Sequence, residues 1–176
     1  MTLSMTKLVS VMVMAAVAFG LVGCKNKPKT WQGNIEVAPG PNLAGKLTGA
    51  TLDVDLVGVT EVEASQWSGR DLPGYFAMNS GERADAEARG TAYKMQFGAG
   101  KGSGPQVLRK EDPIWQKWKD RKVTKLVVVA NSAAGTKMPN HFEMPLTTNR
   151  IKVGTIKVQV DSADTTSLTP IEPLKE

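Results

Sequence analysis

Side chains able to do chemistry are few and scattered in this 176-residue chain, which has one cysteine, Cys24, and one histidine, His141. A single histidine without further thiols argues against zinc. In Pro139-Asn140-His141-Phe142 it reads as a solvated or capping loop residue, not as a catalytic base. Ser103 lies between glycines, outside the G-x-S-x-G context of an activated serine. Asp53 and Asp55 share one face of a strand pattern, and Asp161 and Asp164 lie close together near the C-terminus. Either pair could hold calcium weakly, but neither has the spacing of an oxygen-ligand loop, so solvated faces are the simpler reading. Glu82, Asp85 and Glu87, within Asn79–Gly90, could supply an acid and a base. The glycine-rich stretch from Gly98 to Gly104 fails as a phosphate cradle. Met95 stands where a P-loop needs glycine, Gly102 where it needs Ser or Thr, and the G-x-G-x-x-G register fails at Ser103 and Pro105. The expectation is therefore no cofactor, no metal, no nucleotide and no catalysis.

The strongest signal lies at the N-terminus. Lys7 precedes an apolar stretch from Leu8 to Phe19, the charge and length of an export signal and too short to span a bilayer. It ends in Leu21-Val22-Gly23-Cys24, which resembles the lipobox of bacterial lipoproteins. The resemblance implies a diacylglycerol on the Cys24 thiol, cleavage before Cys24 and acylation of the new amino group. Two or more acyl chains anchor stably, at about 0.8 kcal/mol per buried CH₂. The same resemblance implies the outer membrane, facing the periplasm, where the cell has one, because Lys25 stands where a retention signal for the inner membrane usually has Asp.

Loss of residues 1–23 removes one cation, Lys7, so the net charge falls from +5 to +4 and 153 residues remain. That length suits one domain. A modest charge spread along the chain gives no reason to expect nucleic acid. With Cys24 lipidated, the domain has no disulfide and must stand on its core alone. Lys25, Lys27 and Lys29 sit beside the anchor, where they either contact anionic headgroups or belong to a solvated linker.

The elements that must position any site are short. Residues 24–49 read as the lipidated cysteine and a flexible tether, with at most an edge strand at Asn34–Val37, holding the domain away from the bilayer. Thr51–Val59 alternates with period two, and Thr60-Glu61-Val62-Glu63 is a capping box opening a helix towards Trp67. Asn79–Gly90 reads equally as a helical turn or a mobile loop. Strand alternation returns over Thr91–Phe97, and the glycine stretch reads as a mobile hairpin loop. Asp112-Pro113 starts a short helix to about Asp120. Leu126–Val129, apolar on both faces, marks a central strand. A bend at Gly154 joins two alternating segments, and residues 162–176 read as an extended or disordered tail. The expected fold is mainly β, a small antiparallel β-sandwich over residues 50–161 with one or two short helices.

Trp115 and Trp118 share one helix face. They either seal one end of the sandwich or form a partner-binding patch, with Trp67 and Arg70 as weaker candidates. Two functions follow. The first is an envelope lipoprotein with a non-catalytic binding or structural domain. In architecture it is similar to type VI secretion lipoproteins, a likeness that implies docking of an inner-membrane partner through an inter-strand loop. The second is a lipid-anchored hydrolase or ligand-binding protein using the acidic residues of Asn79–Gly90. Fractionation checks the shared premise: Cys24→Ala should move the protein from the membrane to the soluble fraction, and the acyl mass on Cys24 should vanish.

Overall fold

The computed structural model describes residues 28–132, 140–162 and 164–173. The export signal and Cys24 lie outside the described residues. Among the described residues eight strands form two four-stranded sheets: β1 (Asn34–Pro39), β2 (Thr51–Val59), β3 (Ala92–Gly98), β4 (Gln106–Leu108), β5 (Lys125–Ser132), β6 (Asn140–Pro145), β7 (Thr155–Val160) and β8 (Thr165–Ser167). The first sheet has the order β4-β1-β7-β8 and the second β3-β2-β5-β6. All pairings are antiparallel except β1 with β7, which run parallel. The protein is thus mainly β, a two-sheet sandwich carrying short helices.

The two sheets share one core. Ile35 and Val37 of β1, Leu108 of β4, and Ile156, Val158 and Val160 of β7 meet Leu52, Val54 and Leu56 of β2, Phe97 of β3, and Leu126 and Val128 of β5. Period-two alternation puts these residues on one face of each strand. The first sheet leaves its other face to solvent, whereas the second is covered on both. Its outer residues Val57, Val59, Val127 and Val129 form a separate cluster with Ala64, Trp67, Leu72 and Tyr75. This double cover is why Leu126–Val129 is continuously apolar.

The outer cover is helical: α2 (Glu61–Trp67), α3 (Leu72–Tyr75) and α4 (Gly81–Ala88) follow β2, whereas α1 (Pro41–Ala44) and α5 (Ile114–Asp120), which precedes β5, send Leu43 and Ile114, Trp115 and Trp118 into the core between the sheets. The capping box is formed: Thr60 N–H donates to Glu63 Oε2 at 2.8 Å and Glu63 N–H to Thr60 Oγ1 at 3.3 Å. At α5 the Asp112 carboxylate accepts from Ile114 N–H at 2.9 Å. The Asn79–Gly90 ambiguity resolves to a helix, capped where Ser80 Oγ accepts from Arg83 N–H.

Three expectations are corrected. Residues 24–49 are not a tether throughout. Thr30 bridges Thr147, Trp31 is buried, and β1 is an interior strand, because Ile35 and Val37 fill the core and both of its edges are hydrogen-bonded. The glycine stretch is not a hairpin: it carries the chain from β3 in one sheet to β4 in the other, with Gly98, Gly100 and Gly102 at positive φ. The 162–176 tail is partly structured: β8 pairs with β7, Ile171 packs against the core, and Glu172 N–H donates to Arg150 O.

Trp118 closes one end of the sandwich by lying flat against Gly58, where an added Cβ would meet its ring atoms at 2.6–2.8 Å. Gly58→Ala should therefore cost about 1–3 kcal/mol through overpacking. Urea unfolding reads this as a lower midpoint with an unchanged slope.

Candidate functional site

The most site-like cluster lies between β2 and its helical cover. Asp55, an outward position of β2, is fully buried. Its Oδ2 accepts from Tyr75 Oη at 2.9 Å and Arg83 Nε at 2.8 Å, and its Oδ1 accepts from Arg83 Nη2 at 2.8 Å. This two-point fork is the strongest geometry an arginine offers a carboxylate. Arg83 also lies 4.0 Å from Asp53 Oδ1 and 4.8 Å from the centre of the Phe76 ring. α3 delivers Tyr75, α4 delivers Arg83, and both helices are held over Asp55.

Each group is tuned towards permanence. The bond to Asp55 raises the Arg83 guanidinium further above its usual range, against the opposing effect of burial. Burial, then the Asp55 charge and hydrogen bond, push the Tyr75 hydroxyl far above the usual phenol range. With both carboxylate oxygens engaged and no solvent face, Asp55 offers nothing to a substrate. The reading of Asp53 and Asp55 as one solvated face is corrected for Asp55, because α3 and α4 cover that part of β2.

A cleft of about 170 Å³ opens beside this cluster, with Glu63, Trp67, Arg70, Glu82, Arg89 and Arg121 among its walls. Its charges are matched. Arg70 pairs with Glu82, Arg89 with Asp85, and Arg121 Nη2 with Glu63 Oε1 at 2.6 Å. Burial alone would raise the Glu63 carboxyl, but bonds from Thr60 and the Arg121 charge outweigh it and hold Glu63 low. The acidic residues of α4 are similarly committed. Glu87 pairs with Lys94 at 2.5 Å, and that bond lowers its carboxyl below the usual range. Among the described residues, no group of three or more His, Cys, Asp or Glu could hold a metal ion.

The tryptophan patch is also corrected. Trp115 and Trp118 are 1% and 0% exposed, so neither presents a surface to a partner. Their rings stack edge to face at 5.0 Å, and their indole N–H groups donate to Arg109 O and Thr91 O. Trp67 is buried as well, with Tyr75 at 5.5 Å. Arg70 alone of the four stays partly exposed, its guanidinium 4.1 Å above the Trp67 ring. His141 lies in β6, opposite Val129, not in a loop.

Sequence reasoning missed Tyr75 and Arg83. A signal was present: after Asp55 the outward positions of β2 become Val57 and Val59, which demands a covered face and hence a cation for the carboxylate beneath it.

No protein-family model matches this sequence, and no curated protein matches it. Among solved structures, the chain is similar to Serratia marcescens Lip, a membrane-bound component of the type VI secretion system. The TM-score is 0.47 at 8% identity, covering 81% of this chain and 99% of that one. It is also similar to the Pseudomonas aeruginosa type VI secretion lipoprotein TssJ1, with a TM-score of 0.46 at 15% identity, covering 83% of this chain and 99% of that one.

The Tyr75 hydroxyl makes stability sensitive to alkali. Below about pH 10 it is protonated in both folded and unfolded chains and contributes no pH dependence. Above that, the unfolded chain releases the proton and the folded one keeps it. Stability from this group should then fall by up to about 1.4 kcal/mol per pH unit. Tyr75→Phe should lose that part of the alkaline decline, as measured by urea unfolding between neutral pH and pH values above the phenol range.

Proposed function

We propose that this chain is a membrane-anchored envelope lipoprotein whose β-sandwich is a non-catalytic binding or structural domain. In its finer form, the proposal is a secretion-system assembly factor attached to the outer membrane and facing the periplasm. The observation that carries it is the short distance between the lipobox and the fold. Cys24 lies only six residues before Thr30, which already bridges Thr147. A domain joined so closely to its anchor is oriented by it.

The fold supports the same reading. β2 runs from Thr51, paired with Gly98, to Val59, whose carbonyl accepts from Thr124 N–H. Thr30 Oγ1 donates to Val123 O, so the chain joins the domain at the Val59 end. The opposite end carries the β1–β2 connection and the Gly98–Gly104 crossing, which flank a groove of about 290 Å³ lined by Leu47, Gly98 and Ser103 among others. Nine residues of β2 separate the two ends by about 26 Å. The far end is the surface that meets another envelope component.

The alternative, a hydrolase or ligand-binding protein built on Asn79–Gly90, gains no support: Glu82, Asp85 and Glu87 are each spent on a cation. Photo-crosslinking groups at Thr48 and Lys101 in the native host provide the test. Recurrent capture of one membrane-assembly subunit from these positions supports the proposal. Its absence there, with capture from the α4 surface instead, contradicts it.

A further inference from the structure

We propose that the anchor-proximal end of the domain is a docking face for anionic phospholipid headgroups of the bilayer that holds Cys24. This rests on the lipoprotein reading and extends it from an attached domain to one seated on its membrane.

Two observations carry it. The first is reach. Pro28 is four residues on from Cys24, and an extended chain spans at most about 3.6 Å per residue. Pro28 therefore lies within about 14 Å of the lipidated residue. The end of the sandwich that contains Pro28 cannot stand clear of the headgroups.

The second is what that end presents. Pro28, Lys29, Thr30, Lys119, Lys122 and Thr124 line a predominantly apolar groove of about 510 Å³. Its walls include the proline ring and lysine stems, and Lys29, Lys119 and Lys122 are exposed. Lysines arranged in this way cover apolar surface with their stems and keep their ammonium groups in water, a pattern suited to the headgroup boundary. Exposed Lys152 joins the set, because its Nζ donates to Thr148 O, and Thr148 N–H donates to Lys29 O. Lys94, Lys110 and Lys157 elsewhere, and Lys125 at this end, are paired with glutamates. Among the described residues, none of Lys29, Lys119, Lys122 and Lys152 forms an ion pair. Lys46, Lys101 and Lys117 are in no ion pair among these residues either, so the proximal end is set apart by the grouping of its lysines around one groove. Unpaired cations within a Debye length of an anionic leaflet are each worth about a fivefold gain in binding at low salt.

The test uses the acylated protein in vesicles. With Cys24 acylated, an introduced cysteine is the only free thiol, so Asn149→Cys can be labelled at the proximal end and Lys101→Cys at the far end. A quencher is carried on the lipid headgroup. In phosphatidylethanolamine–phosphatidylglycerol vesicles the Asn149 label should be strongly quenched and the Lys101 label spared. The contrast should shrink in phosphatidylcholine and in high salt. It should shrink likewise in the variant Lys29→Gln, Lys119→Gln, Lys122→Asn and Lys152→Gln. Asparagine is chosen at Lys122 because that residue has a φ of 57°, which asparagine tolerates. Unchanged thermal unfolding shows that the variant is folded. Equal quenching of the two labels, or a contrast that charge removal leaves undiminished, overturns the docking face. Mass analysis of Cys24 is a separate readout: an unacylated cysteine would sink the lipoprotein reading whatever the labels report.

Discussion

A buried carboxylate constrains this fold more tightly than any other single group. Asp55 lies on the outer face of β2 with no exposure, and a charge so placed is tolerable only when fully matched. Its matching groups come from two separate helices, Tyr75 from α3 and Arg83 from α4. The helical cover of the second sheet is therefore pinned at one polar point within an otherwise apolar contact. Hydrophobic contact is non-directional and would allow the helices to slide, whereas a forked arginine–carboxylate pair fixes their position.

The second constraint, on the proposed lipoprotein reading, is the closeness of anchor and fold. A protein held by a long linker samples all orientations. This one leaves only a few residues between Cys24 and the first bridge to the sandwich. On the proposed lipoprotein reading the two ends of the domain have different tasks, one against the bilayer and one facing away from it. On this account binding is assigned to position, and the conspicuous tryptophans are assigned to packing. Trp31, Trp115 and Trp118 form a continuous edge-to-face series inside the core.

How much of this was legible in the sequence depended on whether the deciding interaction was local. The capping box of Thr60 and Glu63, the alternation of β2 and the doubly buried β5 are read from neighbouring residues, and they stand in the structure. The interior place of β1 was hidden. Pro39, Gly40 and Pro41 look like linker, and nothing in the local sequence shows that Asn34–Pro39 will lie parallel to a strand more than a hundred residues later. The fate of Asp55 was hidden for the same reason, because its partners lie 20 and 28 residues away. Trp115 and Trp118 showed a shared helix face, but not whether that face would be covered.

On the proposed reading the Asp55–Arg83–Tyr75 cluster is structural and function resides at the two ends of the sandwich. A double-mutant cycle over Asp55→Asn and Arg83→Met, read by urea unfolding together with partner capture in cells, tests it most directly. Each single change should cost about 3 kcal/mol, because it strands a buried partner, and the double change should cost clearly less than their sum. At a temperature where the folded state is still populated, partner capture should persist. Stable single variants that nevertheless abolish capture would contradict the account and make this cluster the functional site.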